Sequence, residues 1–417
     1  VLMSEANSFL DSSETRSEVD RETDLIQRFK KQVQHAQVNS DYFKERLKNI
    51  DPESIVDRDS ICQIPVTRKT DLKAIQGKAP PFGGLTTAPL SSLARLFSSP
   101  GPIYEPQAVN EDFWRVKRAL YSVGVRCGSL VYNTFSYHFT PAGFMMDEGA
   151  RALGCAVFPA GVGQTELQVQ TIAEIRPDVY TGTPSFLKIL LEKGNELGLD
   201  LSSLKRGIVG GEALLPSARK LFQNSGIEIC QTYATADVGL IAYETLPDQG
   251  LIIDEGVLVE IVRPGSDDLV EDGEVGEVVV TVFSDIYPLI RFGTGDLSMF
   301  IPGVSACGRT NRRLKGWMGR ADQTTKVKGM FVHPEQINAV VKRHPEIQYA
   351  RLNVAHDTQH NDVMTLECEG ATDKLELNAS IVITLKELTK LRGAVNFVPT
   401  NSLPRDGKVI DDRRKYD

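Results

Sequence analysis

Apolar positions along the 417-residue chain fall into several periodic textures. Over 21–47 (RETDLIQRFKKQVQHAQVNSDYFKERL), Leu25, Ile26, Phe29 and Val33, with the neighbourhood of Ala36, recur at helical spacing. This predicts an amphipathic helix, broken near Asn39-Ser40, with its apolar stripe packed on the body of the protein. Residues 77–110 are rich in Gly, Pro and Ser and read as loops and short strands. From about 111 to 231 apolar runs alternate with helical stretches. Helices are expected at 111–124, 142–153, near 165–175, at 184–197 and at 215–224. Strands are expected at 129–134, 155–159, 178–181, 206–210 and 227–231. Such alternation implies parallel pairing and a sheet covered on both faces. Ligands of such sheets sit at the carboxyl ends of strands, here after 131, 181, 209 and 231. From 250 to 310 short β runs such as 257–263 and 276–283 predict an antiparallel or barrel-like subdomain. After 330 the pattern is α+β: helix 334–343, strands 347–354 and 363–369, helix 373–390 and strand 394–399. Gly319-Arg320-Ala321-Asp322 lies between these blocks. The expected fold is therefore α/β, a large N-terminal domain (1–321) with parallel layered sheets and a β-rich subdomain, then a small α+β C-terminal domain (322–417).

Composition narrows the classes. Lys and Arg number 47 against 55 Asp and Glu, a net charge of −8, which argues against a nucleic-acid partner but allows a local site for a small anion. The six cysteines form no C-x-x-C pair, so reduced thiols are expected rather than a disulfide scaffold or structural zinc. Val1–Leu10 lacks the pattern of a signal peptide, and no apolar run approaches the roughly 18–20 residues that span a bilayer. These features predict a soluble cytoplasmic protein without a membrane partner. His356 and His360 are i, i+4, but HDTQHND is polar and lacks a metalloprotease glutamate, so it reads as a surface loop.

Four segments occur in order at wide separation: GGEALLP (210–216), TYATADVGL (232–240), PLIRFGTGDLS (288–298) and GRADQTTKVKGMFVHPEQI (319–337). The chain then ends in LPRDGKVIDDRR (403–414). Together they resemble the adenylate-forming acyl-CoA synthetases and, within them, the phenylacetate–CoA ligase group. NSDYFKERL followed by DSICQIPVTRKTDL resembles that group as well. The resemblance implies a mobile C-terminal domain and two half-reactions. ATP and a carboxylic acid, here aryl or arylacetic, give an acyl-adenylate and pyrophosphate. The CoA thiol then gives a thioester and AMP. ATP, Mg²⁺ and CoA are the implied cofactors, and a homodimer is possible.

The resemblance also assigns residues. Lys408, in Pro404-Arg405-Asp406-Gly407-Lys408, matches the lysine that reaches the carboxylate and the α-phosphate. Such a cation relieves the repulsion between two anions. Asp296 matches the acceptor of both ribose hydroxyls, for which a carboxylate has acceptor oxygens and no donor. Arg320 is the other ribose-side residue. Tyr233 matches the residue stacked on adenine, with Ala234 beside it. Asp237 matches the acidic residue that holds Mg²⁺, although it is one methylene shorter and Ala236 replaces a hydroxyl residue, with Thr235 adjacent. Gly210, Gly211 and Glu212 flank the adenine and the acid. The phosphate loop falls at 98–106, where Ser98, Ser99 and Gly101 remain but Glu105 stands in place of a lysine. Pro100 and Pro102 remove two backbone donors there. Phe135, Tyr137 and His138 are candidates for the acid pocket, with His138 also toward the carboxylate or the CoA path. Phe135 and Tyr137 fit a core role equally well. Asp322 matches the hinge, and Gly329, between Lys328 and Met330, the passage of pantetheine. Two alternatives stay open on Glu105 and Ala236: a non-catalytic nucleotide- or acyl-binding relative, and an adenylating enzyme that hands its acyl group to a non-CoA acceptor.

Overall fold

The computed structural model describes residues 8–262, 267–321, 323, 325–328, 330–332, 334–358, 361–370, 375–404 and 409–414. The chain divides into two compact units, Val1–Met318 and Gly319–Asp417. In the first, helix α1 (Glu18–Asn39) buries Leu25, Phe29, Val33 and Ala36, as the stripe predicts. Ser40 ends it and caps α2 (Asp41–Arg46), its Oγ accepting from the backbone of Phe43. The break at 39–40 is thus a change of cap. Buried ion pairs fasten this arm to the body: Arg21 to Glu255 at 3.1 Å, and Arg309 to Glu14 at 2.6 Å.

Strand β1 (Thr67–Arg68) is followed by a hairpin of β2 (Leu93–Ser99) and β3 (Ile103–Ala108). Helix α3 (Val116–Ser122) is shorter than the 111–124 expected. Asp112 and Arg115 adopt φ of 53° and 65°, and the Asp112 carboxylate accepts from the backbone of Lys117, so a turn replaces the first helical residues.

The predicted alternation then follows: β4 (Leu130–Asn133), α4 (Ala142–Arg151), β5 (Ala156–Pro159), α5 (Thr165–Ile175), β6 (Val179–Gly182), α6 (Pro184–Glu196), β7 (Arg206–Val209), α7 (Pro216–Asn224) and β8 (Glu228–Thr235). The strands run parallel in the order β8-β7-β6-β4-β5. Four antiparallel neighbours extend the sheet beyond β8: β9 (Gly239–Tyr243), β10 (Leu251–Ile253) and, past it, the short strands Arg313–Leu314 and Phe300–Ile301. The segment 250–310 is therefore not one subdomain, because its first strand joins the large sheet. Its central strands β11 (Val257–Val262), β12 (Gly276–Val282) and β13 (Phe292–Ser298) form a separate antiparallel trio, and β1 adds to β13 in parallel. Every residue of β11 and β12 is buried, which matches their nearly continuous Val and Ile.

The second unit contains a hairpin, Thr325–Val327 with Met330–Val332, and a four-stranded sheet. That sheet pairs Tyr349–His356 with Asp362–Glu369 in antiparallel fashion, with Ala394–Val398 and Ile410–Asp412 outside them. Helices Pro334–Arg343 and Leu375–Thr389 accompany it. Its own core includes Leu352, Leu366, Ile381 and Leu385.

The smaller sheet of the first unit is tied together by Arg291, whose side chain is fully buried. Its Nε donates to Glu260 on β11 at 3.1 Å, and Nη1 donates to the carbonyls of Cys62 (3.1 Å) and Ile64 (2.5 Å). Nη2 donates to the Asp267 carbonyl at 3.0 Å. The Arg291 carbonyl accepts from Thr67, which starts the β1–β13 pairing. Removing one partner of a buried ion pair typically costs about 3–5 kcal/mol. Arg291→Ala is therefore expected to lower the stability of the first unit by about that amount. Urea unfolding followed by the fluorescence of Trp114 and Trp317, both in that unit, checks it.

Candidate active site

Three of the candidate residues, Tyr233, Asp237 and Asp296, meet near the end of β8. A β-bulge between Tyr233 and Ala234 turns the strand, and the Thr235 hydroxyl accepts from the Val238 backbone to close the following turn. Thr235 is thereby used for structure. Asp237 projects from this turn with a fully buried side chain, and its Oδ2 lies 2.5 Å from the Lys69 ammonium. Its Oδ1 is buried with no hydrogen-bond partner among the described residues. Lys69 had no signal as a site residue in the sequence, being 168 positions from Asp237. The parallel register Thr67↔Phe292 and Arg68↔Gly293 delivers it.

Glu105 does not sit in an open phosphate loop. It lies on β3, 1% exposed, where its Oε1 accepts from the Ser99 hydroxyl and its Oε2 has no hydrogen-bond partner among the described residues. Burial, and then the negative charge of Asp237, push its carboxyl up to about 7, while Ser99 and Lys69 pull the other way. Tyr287, fully buried nearby, is held well above its ordinary value by burial and then by the charges of Asp237 and Glu105. Ser98 and Ser99 are strand residues, with Ser98 donating its backbone N–H to the Phe139 carbonyl, and Gly101 forms the hairpin turn. This segment is thus a hairpin.

Asp296 lies on β13 and is 8% exposed. Its Oδ2 accepts from the Tyr233 hydroxyl at 2.9 Å, so the two residues matched to the nucleotide are in direct contact. Its Oδ1 accepts from the Trp317 indole at 3.1 Å. Trp317, like Lys69, stood inside no assigned motif position.

After β7, Gly210 and Gly211 turn toward α6. A Cβ on Gly210 would come within 2.8 Å of the Thr232 hydroxyl, whereas one on Gly211 would find only Phe135 and Thr183 at 3.8 Å. Glu212 caps α6, accepting from the Ser185 backbone at 2.7 Å. Phe135 is buried beside this turn. Tyr137 is tied down differently: its hydroxyl accepts from Asn133 at 2.7 Å and donates to Asp147 at 3.1 Å, and its ring packs edge-on against Phe144. His138 is exposed. Arg320 is half-buried at the start of the second unit, while Asp322, Gly329 and Lys408 lie outside the described residues. Elsewhere, a cavity of about 350 Å³ is lined by Arg16, Asp24, Arg28, Arg115, Arg118 and Asp254 among others. Its charges are largely matched, as in Arg115–Asp254 at 3.1 Å and Arg16–Asp24 at 2.8 Å.

Residues 130–282 match the family model described as AMP-binding enzyme. The chain is 28% identical over 430 aligned residues to a phenylacetate-coenzyme A ligase of Escherichia coli K12, covering 97% of each. A protein of the same name from Thermus thermophilus is 28% identical over 372 residues, 85% of this chain and 80% of its own. The solved structure of a 2-hydroxyisobutyryl-CoA ligase in complex with 2-HIB-AMP and CoA matches with a TM-score of 0.77 and 21% identity, covering 97% of this chain and 92% of its own. It supports the fold.

The raised carboxyl of Glu105 has a consequence for stability. Between the ordinary carboxyl value of 4.5 and about 7 the folded chain keeps a proton that the unfolded chain has released, so stability falls as pH rises through that window. Glu105→Gln keeps the bond to Ser99 without that dependence. The variant is expected to match the parent near pH 4.5 and to exceed it at about pH 8 by on the order of 1–3 kcal/mol. Thermal unfolding of both proteins at the two pH values measures the difference.

Proposed function

We propose that this homologue of the phenylacetate–coenzyme A ligases, with an AMP-binding enzyme domain at 130–282, is an ATP-dependent acid–thiol ligase for an aryl or arylacetic acid. The observation that carries it is the meeting of Tyr233 on β8 and Asp237 in the turn after it with Asp296 on β13 and Lys69 just after β1. A nucleotide needs an acceptor for its ribose and positive charge at its phosphates, and this junction supplies both kinds of group.

In the first half-reaction an acid oxygen bonds to the α-phosphorus and the bond to pyrophosphate breaks. Two anions must approach, so cations carry the barrier lowering. Lys69 stands at the site, and Lys408 reaches the carboxylate and α-phosphate by its motif position. Asp296 binds the ribose hydroxyls, with Arg320 beside them. Asp237 fits Mg²⁺ through its buried, unpartnered Oδ1, a hard oxygen donor. Mg²⁺ is usually bound by one or two carboxylates together with the substrate phosphates. When bound, Mg²⁺ supplies charge neutralisation at the phosphates.

In the second half-reaction the CoA sulfur bonds to the acyl carbon and AMP leaves. This step uses the Gly329 loop of residues 322–417, brought in by rotation about Asp322 as Lys408 withdraws. The acid lies near Phe135, Gly210 and Gly211, with His138 toward the CoA path. Glu105, buried and partly protonated near neutrality, is compatible with turnover because Lys69 offsets the charge of Asp237. Nucleotide binding without adenylation is the second reading, favoured by that same carboxyl in place of a lysine. Six free thiols fit a reducing, cytoplasmic setting, and among the described residues no helix is long and apolar enough to cross a membrane. The homodimer is checked by light scattering.

Pyrophosphate release from ATP and Mg²⁺, with aryl, arylacetic and short aliphatic acids and with or without CoA, tests the function. Release with one acid class, raised by CoA, is the expected result. ATP binding with no release across the panel would put the second reading first. Lys408→Ala is expected to cut release by about 100-fold or more while sparing thioester formation from supplied acyl-adenylate. Equal loss of both steps would remove that role.

A further inference from the structure

Residues 315–318 run alongside β13 as a pinned strap. Lys315 donates its backbone N–H to the Met299 carbonyl at 2.9 Å, Ser298 donates its hydroxyl to the Gly316 carbonyl at 2.7 Å, and Met318 donates to the Leu297 carbonyl at 2.9 Å. Gly316 adopts φ 109°, which other residues rarely take, and this lets the strap turn immediately before Trp317. Bonds on both sides of Trp317 hold the main chain that presents its indole N–H. It points to Asp296 Oδ1, opposite the Tyr233 hydroxyl on Oδ2. Trp317 is 40% exposed, so the residue lies partly at the surface.

Donors on both oxygens, the Trp317 indole and the Tyr233 hydroxyl among them, set the plane of the Asp296 carboxylate. A carboxylate has about four lone-pair sites, so an oxygen that already holds one donor can accept another. Indole N–H is donor-only, so it orients Asp296 without offering the ribose an acceptor of its own. A carboxylate turned in advance toward two hydroxyls binds them without the cost of ordering it on contact.

We propose that Trp317 is a positioning residue for ribose recognition, its indole N–H holding Asp296 in the orientation that accepts the two ribose hydroxyls. This rests on the reading of Asp296 as the ribose acceptor, and it extends that site to a residue outside the motifs that identify it. Trp317→Phe keeps the ring at the surface and removes the donor.

Calorimetric affinities for ATP and 2′,3′-dideoxy-ATP, with Mg²⁺ and without acid or CoA, test it in the parent and in Trp317→Phe. The parent should prefer ATP by about tenfold or more, because two hydroxyl bonds to a charged group are lost in the dideoxy compound. In Trp317→Phe that ratio should shrink to about a third or less, with the dideoxy affinity unchanged. Trp114, 3% exposed, remains as an internal fluorescence check that the variant is folded. An unchanged ratio overturns the proposal, as does equal weakening of both ligands, which would mark Trp317 as merely structural. Tighter ATP binding in the variant also overturns it, because the indole would then be a competitor of the ribose. A parent that binds both nucleotides equally would instead bring down the ribose role of Asp296, before Trp317 enters.

Discussion

The buried guanidinium of Arg291 is the constraint on which the candidate site depends. Placing a permanent charge in the interior is costly unless its donors are matched, and here they are taken by the Glu260 carboxylate and by carbonyls of residues 62, 64 and 267. Those partners come from separate stretches of chain. Satisfying one side chain therefore draws the segment before β1, strand β11 and the start of β13 into one sheet. From that sheet Lys69 and Asp296 reach the end of β8, where Tyr233 and Asp237 lie.

At that junction charge is arranged rather than merely concentrated. Asp237 is paired with Lys69, while Glu105 is half-neutralised by burial and by the nearby Asp237 charge. Geometry thus softens the charge of the carboxylate that the resemblance sets in place of a lysine. The hairpin explains the prolines as well. Pro100 and Pro102 sit at its turn, outside the main run of paired residues, where missing backbone donors cost little.

Much of the architecture was legible. The stripe on α1, the βα alternation and the Val- and Ile-rich strands β11 and β12 follow from the local pattern of side chains. Failures came where local pattern meets a non-local partner. Helix α3 was overextended because Asp112 and Arg115 adopt left-handed conformations that periodicity does not report. The 250–310 block reads as one body in the sequence because strand texture alone does not say which sheet a strand joins.

The sequence by itself determined the class of elements, their order and, through spaced motifs, which residues to look for together: Tyr233, Asp237 and Asp296. Tertiary structure alone decided that Lys69 is the partner of Asp237, that Trp317 holds Asp296, and that Glu212 caps a helix. The reason is the same for all three. Each depends on strand register or on a pinned strap, and these bring together side chains that lie from about 20 to nearly 170 positions apart in the chain.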